Sequence, residues 1–146
     1  MRYATAAALL FVWIASANAG SLDRLNAKLA GRVVDYTHNH GRDNRVVSRI
    51  LCMKRDLYVY LPPCHDPSVS YPLVLWLHGG FGNETSFFTT PQLTYLDRMI
   101  RCGKIPPVIV AAPDGNYSGR NFLLANHSLF VNGLGGRVQD HVMMEV

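Results

Sequence analysis

The chain has 146 residues, 49% of them hydrophobic and 16% charged, with 12 Gly and 8 Pro. That composition excludes a disordered or collagen-like polypeptide, and the length allows one domain at most. Lys and Arg number 14 against 10 Asp and Glu, a formal charge of +4 that is too mild to indicate nucleic-acid binding. The basic excess is uneven: eight Lys/Arg against three Asp between Gly20 and Arg55, then five against seven acids from Asp56 onward. It reads as a mildly basic solvated surface, with an anionic partner near the amino terminus as the alternative.

Arg2, the apolar run Ala6 to Ala15 and the small residues of Ala17-Asn18-Ala19 have the pattern of a secretory signal peptide cleaved after Ala19. The apolar run is shorter than the roughly 20 helical residues a bilayer requires. The expectation is a secreted or periplasmic protein with no stable membrane insertion; a retained anchor is the alternative. Cys52, Cys64 and Cys102 follow. An oxidising compartment permits one disulfide among them, in any of three pairings, with one thiol left over.

Leu22, Leu25 and Leu29 lie at helical spacing, and Gly31 can end that helix. Val33 to Arg45, with its THNHGRDN stretch, reads as a polar surface loop. Val46 to Cys52 and Leu57 to Leu61 read as two adjacent antiparallel strands at a sheet edge, joined by a tight turn over Met53-Lys54-Arg55-Asp56. Pro62-Pro63 stops the second, because proline has no N–H for the ladder.

Leu73-Val74-Leu75-Trp76-Leu77 is continuously apolar, the signature of a strand buried on both faces of a parallel sheet. Gln92 to Cys102 places Leu93, Leu96, Met99 and Ile100 on one helical face, with Gly103 as C-cap. Val108 to Ala112 is a second continuous apolar strand, closed by Pro113-Asp114-Gly115. Strand, helix and strand make a βαβ unit, so the class is α/β, an antiparallel edge hairpin followed by that unit, with helices on both faces. From Arg137 a last helix begins, with Val138, Val142 and Val146 on one face. The expected divisions are 1–19 signal peptide, 20–45 amino-terminal helix and polar loop, and 46–146 the α/β domain.

His78-Gly79-Gly80-Phe81-Gly82 directly follows the first apolar strand. Glycines there allow a sharp turn and leave amide N–H groups uncovered, and such groups at a strand's carboxyl end can hold a developing negative charge. An ordinary glycine-rich turn is the competing account. The blocks Arg55 to Pro63, Tyr71 to Gly80 and Gly103 to Gly115 occur in order around this motif. Together they resemble the amino-terminal part of the secreted putative-esterase family of α/β-hydrolases, which includes esterase D, feruloyl and enterochelin esterases and the antigen 85 proteins. The resemblance runs from about Val46 to Val146; Cys64 departs from it, where the family often has glycine.

The resemblance implies a Ser–Asp/Glu–His triad in that chain order, with the serine on a G-x-S-x-G elbow. This sequence contains no such elbow; in Gly115-Asn116-Tyr117-Ser118-Gly119 the serine stands one place too late. The chain is therefore expected to be a fragment without its catalytic triad, inactive by itself. The resemblance also implies that Gly80 is the first candidate for an oxyanion-hole N–H and Phe81 the second. His78, Gly79 and Gly82 would shape the loop, His78 without acting as the base.

Full-length, the expected activity is carboxylic ester hydrolysis on small-molecule or polysaccharide-linked esters, with no metal or organic cofactor. Acyl transfer by the same fold and a non-catalytic binding module are the alternatives. Asp114 reads as a turn residue. His38, His40 and His65 read as surface histidines in preference to metal ligands, because no carboxylate sits at ligand spacing. Asn83, Asn116 and Asn126 each begin a glycosylation sequon. A fragment of this kind should leave one apolar sheet edge unpaired, expected at Val108 to Ala112, and such edges invite aggregation.

Overall fold

The computed structural model describes residues 20–39, 42–80, 82–88, 91–117 and 128–146. The expected signal peptide, His40, Phe81, Ser118 and Asn126 lie outside the described residues. In chain order the elements are α1 (Ser21–Asn26), β1 (Arg32–Tyr36), β2 (His38–Asn39), β3 (Arg42–Asp43), β4 (Val46–Ser48), β5 (Met53–Arg55), β6 (Leu57–Leu61), β7 (Leu73–Leu75), a 3-10 turn over Glu84–Phe87, α2 (Pro91–Arg101), β8 (Ile109–Pro113), β9 (Asn132–Gly133), β10 (Gly136–Arg137) and α3 (Val138–Met144).

The main sheet has the order β1-β6-β8-β7. β6 runs antiparallel to both β1 and β8, with Val59 opposite Val34 and Tyr58 opposite Ala112. β7 and β8 are parallel, Val74 beside Val110, and α2 lies between them in sequence, so the expected βαβ unit is present. Gly103 ends α2 with φ +66°, a conformation that a Cβ disfavours. Val33, Tyr58, Tyr60, Phe87, Leu93, Ile100, Val110 and Ala112 form the buried core, and Leu22, Leu25, Leu29 and Trp76 pack against it.

Two parts of the sequence reading are corrected. Leu57–Leu61 does not pair with Val46–Ser48. Its neighbour is Arg32–Tyr36, a stretch read above as loop, whereas β4 pairs with β5 in a separate two-stranded sheet. Met53, Lys54 and Arg55 are therefore strand residues and not a turn.

The second correction concerns the open edge. β8 is flanked by β6 and β7 and is buried almost throughout, as a continuous apolar run demands. The last strand of the sheet is β7 instead. Leu73 is 53% exposed, and Val74 and Leu77 are 44% and 47%. Among the described residues the unpaired apolar edge thus belongs to the first apolar run and not to Val108–Ala112.

Two carboxylates tie distant segments together. Asp97 of α2, buried, accepts from Ala30 N at 3.0 Å, Gly31 N at 2.8 Å and the Tyr60 hydroxyl at 3.0 Å. It pins the entry to β1 and the centre of β6 to the same helix. Burial, together with this carboxylate, holds the Tyr60 phenol well above its usual pKa.

At the other end, Glu145 accepts from Ser48 Oγ at 2.6 Å, Arg49 N at 2.8 Å and Ile50 N at 3.1 Å, and lies 2.7 Å from His141 Nδ1. The Ser48 hydroxyl and then His141 depress its pKa from 4.5 to about 2. A depressed carboxylate pKa stabilises the fold in full above the unfolded value and loses that contribution as pH falls toward the folded one. The seam between α3 and the β4–β5 turn should accordingly loosen from about pH 4.5 down to about pH 2. Amide exchange at Arg49 and Ile50 measures this, and Glu145→Gln should abolish the pH dependence.

Candidate active site

β7 and β8 are parallel, so their carboxyl ends open on the same side of the sheet, where ligands bind in open α/β folds. The loop after β7 carries His78, Gly79, Gly80 and Gly82; the one after β8 carries Asp114, Gly115 and Asn116. The Gly80 N–H has no acceptor among the described residues, and a Cβ placed on Gly79 or Gly80 meets no atom within 4 Å. Gly82 N donates back to Gly79 O at 3.1 Å and closes the turn.

His78 is buried, and both ring nitrogens are engaged. Nε2 accepts from Gly115 N at 3.0 Å, and Nδ1 lies 2.9 Å from Gly79 O, which can only accept. The neutral ring therefore carries its proton on Nδ1. Burial works against the imidazolium, but the Asp114 carboxylate and the Gly79 carbonyl outweigh it and raise the His78 pKa above its ordinary value. A second proton would go to Nε2, displacing the Gly115 N–H and facing Asp114 Oδ1 at 3.7 Å. The ring thus joins the start of the glycine loop to the loop after β8.

Asp114 proves to be more than a turn residue. It is buried, with its Oδ2 3.3 Å from Arg55 Nη2, which also donates to Asp114 O at 2.6 Å. Asp114 Oδ1 accepts from Asn116 N at 3.0 Å and Asn116 Nδ2 at 2.8 Å. Arg55 is itself 3% exposed, and its charge offsets that of Asp114. Burial pushes the Glu84 carboxyl, in the adjoining turn, up to about 7, and nearby Asp114 and Asp56 add to the shift. Burial also raises Asp56. Arg55, His78 and Asp114 are thus buried together, and Asp56 and Glu84 lie within the field of Asp114.

The segment Ser128–Phe130 underlies the same loops. Ser128 Oγ donates to Gly115 O at 2.5 Å and accepts from Phe130 N at 2.9 Å. The Phe130 ring packs edge-on to His78 at 4.9 Å and lies flush against Gly115. Leu129 and Phe130 adopt φ +51° and +58°, a left-handed conformation that strains side-chain-bearing residues and is often found beside functional sites.

Sequence reasoning missed Arg55, Ser128 and Phe130. The available signal was a basic residue opening the Arg55 to Pro63 block with an aspartate ending the later apolar strand. The remaining candidates do not converge. His38 is exposed on β2, His65 stacks on Tyr71 at 5.2 Å, and among the described residues no three His, Cys, Asp or Glu side chains gather for a metal.

Cys52, Cys64 and Cys102 are exposed and unjoined. The Asn83 carboxamide caps the 3-10 turn by accepting from Thr85 N and Oγ1, and Asn116 is 2% exposed, which withholds its sequon from a glycan. Among the described residues, no helix is long and apolar enough to cross a membrane.

Residues 48–130, more than half of the chain, match the sequence profile of a family described as "Putative esterase". Over 73 residues the chain is 36% identical to endo-1,4-beta-xylanase Y of Acetivibrio thermocellus, across 47% of this chain and 7% of that protein. A mutant of the feruloyl esterase module from Clostridium thermocellum, solved with sinapinate, is 28% identical with a TM-score of 0.50, covering 61% of this chain and 28% of that one. A ferulic acid esterase at 18% identity shares the fold at a TM-score of 0.59, covering 79% of this chain and 40% of that one. The chain spans less than half the length of each of these relatives. The β1-β6-β8-β7 order agrees with this match, and the chain belongs to the putative-esterase family of α/β-hydrolases.

Proposed function

We propose that this chain is the amino-terminal part of an exported serine esterase acting on esters of phenolic acids, and that Gly80 N–H is one of its oxyanion donors. The carrying observation is the open Gly80 amide at the carboxyl end of β7, beside a histidine whose two nitrogens are already in use. The substrate class is drawn from the feruloyl esterase relatives, whose chains extend well past the part matched here. In this reading a serine from later in the protein attacks the acyl carbon while a later histidine takes its proton. The oxyanion accepts from Gly80 N–H and from the N–H following the serine. The alcohol then leaves with the histidine's proton, and water releases the acid from the acyl-enzyme.

Loss of one such donor lowers the rate by roughly 100- to 1,000-fold. Donors without a nucleophile form no acyl-enzyme, so this chain incubated with p-nitrophenyl acetate should release no burst of nitrophenol. A serine-dependent burst would overturn the assignment of the nucleophile to a later segment. The coding DNA past codon 146 should continue in frame to a G-x-S-x-G elbow and a late histidine, and the protein so encoded should hydrolyse methyl ferulate. Failure of that protein to hydrolyse any ester would overturn the esterase reading.

A further inference from the structure

The loop carrying the open amides is held at both ends by the loop after β8. At its start, Gly115 N donates to His78 Nε2 at 3.0 Å. At its finish, Asn116 Nδ2 donates to Gly82 O at 3.3 Å. The same Nδ2 donates to Asp114 Oδ1 at 2.8 Å, and Asp114 is fixed in turn by Arg55. Both neighbours of Nδ2 are acceptors, so only the NH2 of the carboxamide can face them. That orientation leaves Asn116 Oδ1 buried and without a partner among the described residues. A buried amide that leaves its own acceptor unpaired to keep a donor on Gly82 is committed to holding that carbonyl in place.

We propose that Asn116 is a positioning residue of the oxyanion loop: set by Asp114, its carboxamide clamps Gly82 O and keeps the Gly79 and Gly80 amides aimed at the reacting centre. The role rests on the esterase reading for its purpose, but the clamp is measurable without any chemistry. Its carboxamide is buried and spent on Gly82 O and Asp114, so in this role its removal acts on the transition state through Gly80. That is the signature of an interaction realised in kcat more than in KM.

Two variants test it, Asn116→Ala and Asn116→Asp, the second keeping the side chain's size while replacing the donating NH2 with an acceptor. In this chain, at a pH where His78 is neutral, amide exchange at Gly82 and Gly115 should rise about tenfold in Asn116→Ala and further in Asn116→Asp, as expected when one buried hydrogen bond is lost. Exchange at Val110 and Ala111 in β8 should stay as it was. Unchanged Gly82 exchange in both variants overturns the clamp.

In the longer serine-bearing protein, Asn116→Ala should lower kcat on methyl ferulate about tenfold at unchanged KM, a misaligned donor costing less than a missing one. Faster exchange with unchanged kcat would make Asn116 a structural tie only and overturn the positioning role. If the unsubstituted protein hydrolyses no ester, the esterase reading fails and takes the role with it, while the exchange data still decide the clamp.

Discussion

Asp97→Ala is expected to lower stability by about 3 kcal/mol, enough to unfold a substantial share of a marginally stable chain. The substitution removes the shared acceptor of three donors, the buried hydroxyl of Tyr60 and the backbone N–H groups of exposed Ala30 and half-buried Gly31. A buried donor left without an acceptor, as the Tyr60 hydroxyl would be, costs about 1–3 kcal/mol; the two backbone amides, which water can reach, add about 1 kcal/mol each, and the relief of no longer burying a carboxylate returns part of the total. Tyr60→Phe removes only one of the three bonds and should cost about 1 kcal/mol. Urea denaturation checks both: the midpoint should fall in the order wild type, Tyr60→Phe, Asp97→Ala, with an unchanged slope. Equal midpoints for Asp97→Ala and Tyr60→Phe would show that the two backbone bonds contribute nothing.

Gly115→Ala should destabilise by about 2–3 kcal/mol for a steric reason. A Cβ on Gly115 would lie 2.5, 2.6 and 2.8 Å from three carbons of the Phe130 ring. The ring cannot retreat freely, because its backbone is in a left-handed conformation and its edge meets His78 at 4.9 Å. Displacing it also disturbs the Gly115 N–H to His78 Nε2 bond, so fold and loop are damaged together. Removing the ring first should remove the clash. In a double-mutant cycle with Phe130→Ala, the added cost of Gly115→Ala should shrink to below about 1 kcal/mol. A thermal or urea melt supplies all four values, and a fully additive cycle would count against the contact.

The parts of the fold that were legible in the sequence are those whose signal is local. Val108 to Ala112 is apolar without a break because β8 has a strand on either side, and the face of Leu93, Leu96 and Ile100 gave the helix that covers it. Strand pairing was less legible, because partners are chosen by a sheet that forms between distant segments. Val33 and Val34 are flanked by residues that favour turns, and nothing in Arg32–Tyr36 reveals that Leu57–Leu61 needs a neighbour there. The apolar run from Leu73 gave the strand but not its place in the sheet.

In the site, the glycine loop at the end of the apolar run from Leu73 could be read because clustered glycines after a strand mark a turn. The network beneath them could not be read, since burial of Arg55 and Asp114 is a property of the folded pair. Asn116 drew notice only as a sequon, and Ser128 only as that of another; both are engaged in buried hydrogen bonds.

β7 and β8 look alike as text, yet their surroundings differ. Val110 and Ala112 are closed in on both sides, so a polar change there decides whether a single molecule folds. Leu73 and Val74 border solvent on the bare side of the ladder. An apolar margin of this kind is a ready template for a further strand, and in the longer enzyme proposed above a later segment would take that place. A polar change at Val110 would then tell on the folding of this segment, and one at Val74 on its joining to the next.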